Sequence, residues 1–333
     1  MTMPTCERDN TIELARVFLM FGICLLHSIT QGGHVQRGLD NVLLSCVTGF
    51  VFISGYYGIK FKISKILRIV SVAISSVLTL AVVKVLTEDV QWTNVEVLFI
   101  NPLVKGYWFL WSYIVMMCLA PLVDSALNGC KREIISRLLP LFIVAFGWSY
   151  LSFTPKVMAY VPKVSGFGAL TFLTLLGIYA VARIYKVFNL ERYLYNKAGL
   201  FILVICIILT AIGLGHYCSP FSFMLVAVAF TFWRKVRLPN WAESCAKLIS
   251  PSIFAVYLLH ANGFGYHVIK SLENRTIDLG VSLYPTYFLV AIVIFICCIV
   301  LDIPRRLLVM ILKCRIELLL AAIDNLYSQI ITR

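Results

Sequence analysis

The chain has 333 residues, of which 60% are hydrophobic and only 14% are charged. A soluble globular domain has about 45–50% apolar and about 25% charged residues, so this composition excludes an ordinary soluble protein. The formal net charge is +13, and in a membrane protein such an excess is typical of cytoplasmic loops and of surfaces that face anionic lipid. We therefore expect no nucleic-acid partner.

Apolar stretches long enough to cross the hydrocarbon core recur along the whole chain. They predict an all-α integral membrane protein, a bundle of about ten transmembrane helices in a single membrane-embedded domain over residues 1–333. The predicted spans are 11–30, 39–59, 67–87, 107–127, 137–153, 166–184, 198–216, 220–234, 252–269 and 284–303.

The connecting segments differ in charge. Segments on the side of the N-terminus hold roughly three times as many Lys and Arg residues as those on the other side, which predicts that both termini are cytoplasmic. The tail, residues 305–333, mixes apolar and basic residues and predicts an amphipathic helix on the cytoplasmic leaflet of the cell (inner) membrane. Residues 88–106 predict an interfacial segment or a short re-entrant lid on the opposite side.

The first predicted span contains two residues that hydrocarbon disfavours, Arg16 and His27. At about 100° per residue, their spacing brings both side chains to one helix face, about 16 Å apart along the axis. A charged group within a span usually faces a partner or a wet cavity, and Glu13 is placed to pair with Arg16. This face predicts a reaction site. The alternative is an arginine that extends to the interface and a histidine bonded to neighbouring backbone.

The second predicted span ends in small residues and is followed at once by cations. Gly55 permits a close backbone approach, and Lys65 and Arg68 lie one turn apart, so one face presents two positive charges that suit phosphate groups. The alternative is an ordinary positive-inside signal or contact with lipid headgroups. The residues of this candidate anion site are Ser54, Gly55, Lys62, Lys65 and Arg68.

Two further stretches carry candidate site residues. Trp108, at the start of the fourth span, is typical of an interfacial aromatic belt but could also stack on a sugar ring. Tyr257 and His260, in the ninth span, are one turn apart and share a face, with His260 nearer the middle of the membrane than His27. Hydrogen bonding to neighbours alone is the other interpretation of His260. No cysteine spacing of the Cys-x-x-Cys type is present, and we expect no metal.

Taken in chain order, these motifs resemble the membrane-bound acyltransferase 3 family. The stretch with Arg16 and His27 matches the Arg-x10-His pattern of that family's first helix. The stretch with Ser54 and Gly55 matches the F-x-SGY end of its second helix, and the two remaining stretches match its fourth helix and a late helix. The resemblance covers essentially the whole chain. The matching stretches are Arg16 to His27, Phe52 to Tyr56, Trp108 to Leu110 with Pro121-Leu122, and Tyr257 to His260.

The resemblance implies an acyl-CoA-dependent O-acyltransferase. Such proteins transfer an acyl group, usually acetyl from cytoplasmic acetyl-CoA, to a hydroxyl of a glycan or lipid-linked sugar. By the resemblance, His27 is the essential catalytic residue and Arg16 its catalytic partner on the donor side, with the loop cations on the CoA phosphates. The acceptor-side candidates are Trp108, Tyr257, His260 and Glu13.

The chain departs from the family pattern at two places. Many members carry an acid shortly after the WFL motif, whereas Trp111, Ser112 and Tyr113 stand here. The loop cations Lys65 and Arg68 also lack the tight Arg-x-Arg spacing, which leaves individual phosphate contacts open.

Two other functions fit the sequence. A proton-linked transporter or flippase of a glycan would use His27 and His260 as titratable groups within the membrane, and it would consume no thioester. A structural membrane subunit would tolerate substitution of Arg16 and His27.

Overall fold

A computed structural model describes residues 9–29, 34–88, 90–129, 167–214 and 219–331. Every regular element in these ranges is helical, which confirms the all-α class. The predicted span 137–153 lies outside the described residues. The α-helices are α1 (Asn10–His27), α2 (His34–Leu43), α3 (Ser45–Tyr57), α4 (Ile63–Thr87), α5 (Trp108–Gly129), α6 (Phe167–Val187), α7 (Glu191–Leu194), α8 (Lys197–Leu209), α9 (Pro220–Trp233), α10 (Asn240–Ile249), α11 (Ile253–His260), α12 (Gly263–Asp278), α13 (Leu283–Leu301), α14 (Ile303–Ile311) and α15 (Lys313–Ile331).

Seven segments of the described chain are long and apolar enough to cross a membrane, and α9 is a shorter apolar helix. The chain is thus a multi-pass membrane protein, whereas the number of ten spans and the cytoplasmic position of both termini stay predictions. The seven segments are Asn10–His27, Gln36–Tyr57, Ile63–Thr87, Trp108–Gly129, Lys197–Leu214, Asn240–His260 and Leu283–Ile311.

Helix α4 shows how these helices meet lipid. Ile74, Leu78 and Val82 recur at four-residue spacing and are exposed, whereas Ala73 and Val77 on another face are buried in the bundle. Residues four apart lie on one side of an α-helix. An apolar stripe of this kind is stable when it faces lipid tails, so α4 has one side toward the bilayer and one toward the protein core.

Helix α1 lies at the centre of the bundle and contacts α3, α10, α11 and α13. Its buried face includes Val17, Met20 and Cys24. The Asp9 side chain caps its first turn by accepting a hydrogen bond from the Thr11 amide at 3.0 Å, and such caps stabilise helix starts by about 0.5–2 kcal/mol. These contacts hold α1 in the bundle, and its helical rise sets the spacing of the polar residues along it.

The predicted helical tail packs against the start of α4. The amide and hydroxyl of Ser64 donate to the two oxygens of Asp324 at 3.0 and 2.7 Å, and Arg68 pairs with Glu317 at 2.7 Å. The hydrogen bond from the Ser64 backbone, with that from its hydroxyl, lowers the pKa of the Asp324 carboxyl. Docking through Asp324 is therefore complete at neutral pH and weakens as the pH falls through that lowered pKa.

Gly55 allows α3 and α6 to approach closely. A Cβ atom at this position would lie 2.5 Å from the Tyr179 carbonyl oxygen and 2.7 Å from the Ala182 Cβ. Both of these residues are buried at 0% exposure. Since backbone cannot move aside cheaply, the glycine is required by helix packing.

Gly55→Ala should therefore lower the free energy of unfolding by about 1–3 kcal/mol, the usual cost of overpacking. The measurement is the melting temperature of the detergent-purified protein. Gly129→Ala is the matched control, because no atom of the described residues lies within 4 Å of a Cβ there. Equal melting temperatures of the two variants would contradict this account.

Candidate active site

The site is built around a break between α11 and α12. Helix α11 ends at His260, and the Asn262 side chain holds the joint: its amide donates to the carbonyls of Leu258 and Leu259, both at 3.0 Å, and its oxygen accepts from the Gly265 amide at 3.1 Å. A Cβ at Gly265 would lie 2.1 Å from the His260 carbonyl oxygen, so only glycine fits. Broken helices at membrane depth occur where the freed backbone is buried in protein or lines a cavity.

This joint brings His260 against His27, the last residue of α1, with their ring centroids 5.0 Å apart. His260 Nδ1 lies 2.5 Å from the Val256 carbonyl oxygen. Nδ1 therefore donates and carries the proton, which leaves the lone pair on Nε2. The ends of α1 and α11 thus lie side by side, a contact that the sequence did not predict.

Two ring nitrogens at this contact lack partners. Within the described residues, His27 Nδ1 and His260 Nε2 are buried and form no hydrogen bond. Buried polar atoms are paired in the large majority of cases, and leaving one unpaired costs about 1–3 kcal/mol. Adjacent unpaired nitrogens indicate a place where the protein binds a ligand or passes a proton.

A cavity of about 320 Å³ opens beside His27. Trp108, Tyr257 and Asn262 line it, and the Tyr266 ring lies 5.1 Å from the His27 ring. Ligand pockets of this kind are mostly apolar with a few polar groups, and this one is at the small end of their usual range of about 300–1,000 Å³. The structure thus brings Trp108 and Tyr257 together with His27 around one cavity, while buried His260 contacts the His27 ring.

The segment before α5 lines a second cavity, which lies beside the first. Its turns Glu96–Ile100 and Pro102–Gly106 pack on α4, in the region predicted to be an interfacial segment or a lid. The second cavity measures about 300 Å³ and shares Gly106, Asn262 and Gly263 with the first. The two cavities therefore meet at the helix joint.

The other end of α1 holds the predicted ion pair. Arg16 Nη1 lies 2.8 Å from Glu13 Oε1, which confirms that pairing. Ser54, on α3, bonds Tyr113 on α5 at 2.9 Å, and Gly55 packs on α6 as described above. Ser54 and Gly55 thus lie at helix contacts of the bundle.

A second group of charges, which the sequence analysis missed, surrounds this end of α3. Arg183 pairs with Asp124 at 2.7 Å, and Arg234 pairs with Glu191 at 2.6 Å. Each of the four side chains is less than one-third exposed. Asp124 could have indicated this group from the sequence, because an acid within an apolar helix needs a cationic partner.

Two tyrosines connect these cations with α1. Lys186 Nζ donates to the Tyr56 hydroxyl at 2.9 Å. The Tyr56 hydroxyl also accepts from Arg234, and the next residue, Tyr57, lies near both Arg234 and Arg16. Arg16 therefore belongs to a group of cations at one end of the bundle, and His27 lies at the other.

The predicted loop cations lie at the start of α4. Lys62 is exposed, Lys65 Nζ donates to the Lys60 carbonyl at 3.0 Å, and Arg68 is paired with Glu317 of the tail. Among the described residues, no hydrogen bond or ion pair joins these three side chains to Arg16. The same part of the chain contains no group of three or more His, Cys, Asp or Glu residues placed to hold a metal ion.

Comparison with known proteins gives one match. The acyltransferase 3 family model, described as an acyltransferase domain, matches residues 9–303. The matched range contains His27, Arg16 and all residues that line the two cavities, and it ends before most of α14 and all of α15. No curated protein and no solved structure matches the chain.

Asn262→Ala should both destabilise the protein and lower its activity. The substitution removes three hydrogen bonds at a buried joint, which costs about 1–3 kcal/mol, and frees His260 from its position against His27. Melting temperature and turnover are measured together. Asn196→Ala, which removes a helix cap at Gly199, is the control that should leave turnover unchanged. Wild-type turnover by folded Asn262→Ala would contradict the role of the joint.

Proposed function

Because this chain belongs to the acyltransferase 3 family, whose model matches residues 9–303, we propose that it is a membrane O-acyltransferase. In this proposal it transfers an acyl group, acetyl, from cytoplasmic acyl-CoA to a hydroxyl of a cell-surface polysaccharide or lipid-linked sugar at the cell membrane. The observation that carries the proposal is the buried, unpartnered Nδ1 of His27 beside a cavity. The family match includes His27, and an unpartnered imidazole nitrogen has the chemistry of a general base.

In this proposal, His27 is the general base that the acceptor hydroxyl needs. An alcohol is a weak nucleophile at neutral pH, and a positioned imidazole that takes its proton accelerates attack by about 10²–10⁴-fold. In the proposed step, the acceptor oxygen attacks the thioester carbonyl as His27 takes the hydroxyl proton. The carbon–sulfur bond breaks, and the proton then passes to the CoA sulfur. An acyl-imidazole on His27 is the alternative route, and it forms the same products.

His260 acts as a positioning residue in this scheme. Its Nδ1–H is held by the Val256 carbonyl, so Nε2 is left as a hydrogen-bond acceptor within the 5.0 Å ring contact with His27. Packing against His260 holds the His27 ring beside the cavity, and the unpartnered Nε2 can accept a hydrogen bond from His27 once that ring carries two protons. A base oriented by a third group is the general arrangement of activated nucleophile systems.

The donor binds at the opposite end of α1. Arg16 is about 16 Å from His27 along the helix, so it contacts the phosphate end of acetyl-CoA and not the reacting carbonyl. Lys62, Lys65 and Arg68 complete the proposed donor site. The Arg68–Glu317 pair is half exposed, and exposed pairs are worth only about 0–1 kcal/mol, so a phosphate can displace Glu317 at little cost.

The same histidines favour a second candidate function. Unpaired ring nitrogens beside an intramembrane cavity also suit proton-linked transport of a glycan. A transporter consumes no thioester, so release of free CoA thiol by the purified protein decides between the two functions.

His27→Ala should abolish acyl transfer, with a loss of at least about 100-fold, while binding of acetyl-CoA and folding stay intact. His260→Ala should reduce turnover less, and His260→Gln, which keeps a hydrogen-bond acceptor, should recover part of it. CoA thiol release measures turnover, and size-exclusion profiles check folding. A greater loss in His260→Ala than in His27→Ala would show that the wrong histidine was assigned as the base.

The double substitution Lys65→Ala with Arg68→Ala should weaken acetyl-CoA binding by roughly tenfold, because charge-assisted phosphate contacts are lost. Arg16→Ala should also weaken donor binding. Calorimetric titration at low and high salt measures both effects. Arg237→Ala, which removes an exposed cation outside the proposed site, is the control. Unchanged affinity in the double variant would remove Lys65 and Arg68 from the donor site.

A further inference from the structure

The second cavity has a cation in its wall. Lys84, in the last turn of α4, lines it. The Lys84 side chain lies with Nζ 3.4 Å from the Val97 carbonyl oxygen and 5.8 Å from the centre of the Phe264 ring. No carboxylate of the described residues lies within ion-pair distance of it. We refer to this space as the Lys84 cavity.

Lys84 has no carboxylate partner among the described residues, whereas five arginines have one. An ammonium group has three donors, and 3.4 Å is longer than the usual 2.7–3.2 Å of an N–H···O hydrogen bond. A half-buried cation with one long hydrogen bond to the described residues retains donors for an anion, and a charge-assisted bond would be about twice as strong as a neutral one. The arginines with a carboxylate partner are Arg16, Arg68, Arg183, Arg234 and Arg305.

The Lys84 cavity adjoins the cavity beside His27. Gly106, Asn262 and Gly263 line both, and two of these three residues are glycines, so little more than backbone stands between the two spaces there. A ligand that extends along these shared residues can reach Lys84 with one group and His27 with another.

The position of Lys84 also separates it from the proposed donor site. Lys65 and Lys84 are nineteen positions apart on α4, or about 28 Å at 1.5 Å per residue. Lys65 and Arg68 lie at the end of the bundle proposed for CoA phosphates. A second anion bound at Lys84 therefore belongs to the other substrate.

We propose that the Lys84 cavity is an acceptor subsite selective for a negatively charged sugar. A carboxylate or phosphate of the acceptor binds Lys84, and a hydroxyl of the same or the adjacent sugar residue then lies at His27. This inference rests on the proposed function and names its acceptor class. A uronic acid and a glycosyl phosphate offer Lys84 the same chemistry, and the structure of the acetylated glycan distinguishes them.

The test uses the organism that encodes this chain, with the gene deleted and restored as wild type, Lys84→Met, Lys84→Gln, Lys84→Arg or Lys270→Met. Lys270 is an exposed lysine of α12 that lines neither cavity, so its variant is the matched control for loss of one charge. Mass spectrometry gives the repeat structure of the surface glycan and its O-acetyl content. The purified variants are compared in phosphatidylcholine nanodiscs for melting temperature and acetyl-CoA affinity.

We expect the acetylated sugar or its neighbour to carry a carboxylate or a phosphate. Lys84→Met and Lys84→Gln should lower the O-acetyl content by about tenfold or more, the factor that corresponds to about 1.4 kcal/mol. Lys84→Arg should keep most of the O-acetyl content, and Lys270→Met should keep all of it. The affinity for acetyl-CoA should not change in any variant. Lys84→Gln serves if Lys84→Met does not fold.

Three outcomes would overturn the proposal. One is an acetylated repeat without negative charge, which would assign Lys84 to a lipid headgroup. Another is a full O-acetyl content in the strain with Lys84→Met or Lys84→Gln. The third is a loss of O-acetyl content in Lys84→Arg as large as that in Lys84→Met. An unaltered glycan in the deletion strain, with no acetyl-CoA binding by the wild-type protein, would instead mark failure of the proposed function itself.

Discussion

The hydrogen bonds of the Asn262 side chain are the interaction on which the site depends. They close the gap between α11 and α12, and an open gap at membrane depth would leave backbone groups unsatisfied at a cost of several kcal/mol each. Because α11 ends there, His260 meets His27 at the end of the central helix α1. The same joint contributes Asn262 and Gly263 to the walls of both cavities, so one local break places His260 against His27 and lines the space beside them.

Rigid helices then separate the two halves of the proposed reaction. Helix α1 carries Arg16 near one end and His27 at the other, and α4 repeats this arrangement with Arg68 and Lys84. Cations at the Arg16 end are partly neutralised by acids, whereas Lys84 has no such partner among the described residues. Because of this difference, a donor with several phosphates would bind at the Arg16 end, and an acceptor with a single negative charge would bind at Lys84.

The sequence predicted what depends on local spacing. The apolar runs identified six of the seven candidate spans, whereas the one at Asn240–His260 was predicted at 252–269. Three-residue spacing identified the Glu13–Arg16 pair, and the aromatic motif identified Trp108, which lines the cavity beside His27, as a candidate site residue. It did not predict features that need distant segments to meet, such as the Arg183–Asp124 pair or the contact between the two histidines. The helix break was readable in principle, since an Asn cap followed by glycines stops a helix, but the surrounding apolar residues favoured a continuous span.

The most direct test of the central claim is a cryo-electron microscopy structure of the full chain in nanodiscs with a non-hydrolysable acetyl-CoA analogue. We expect phosphate density at Arg16 and the acyl carbonyl carbon about 3–4 Å from the His27 ring, with room for an acceptor oxygen within the near-attack distance of about 3–3.5 Å. An analogue bound with its acyl group away from His27, or with its phosphates beside Lys84, would contradict the claim.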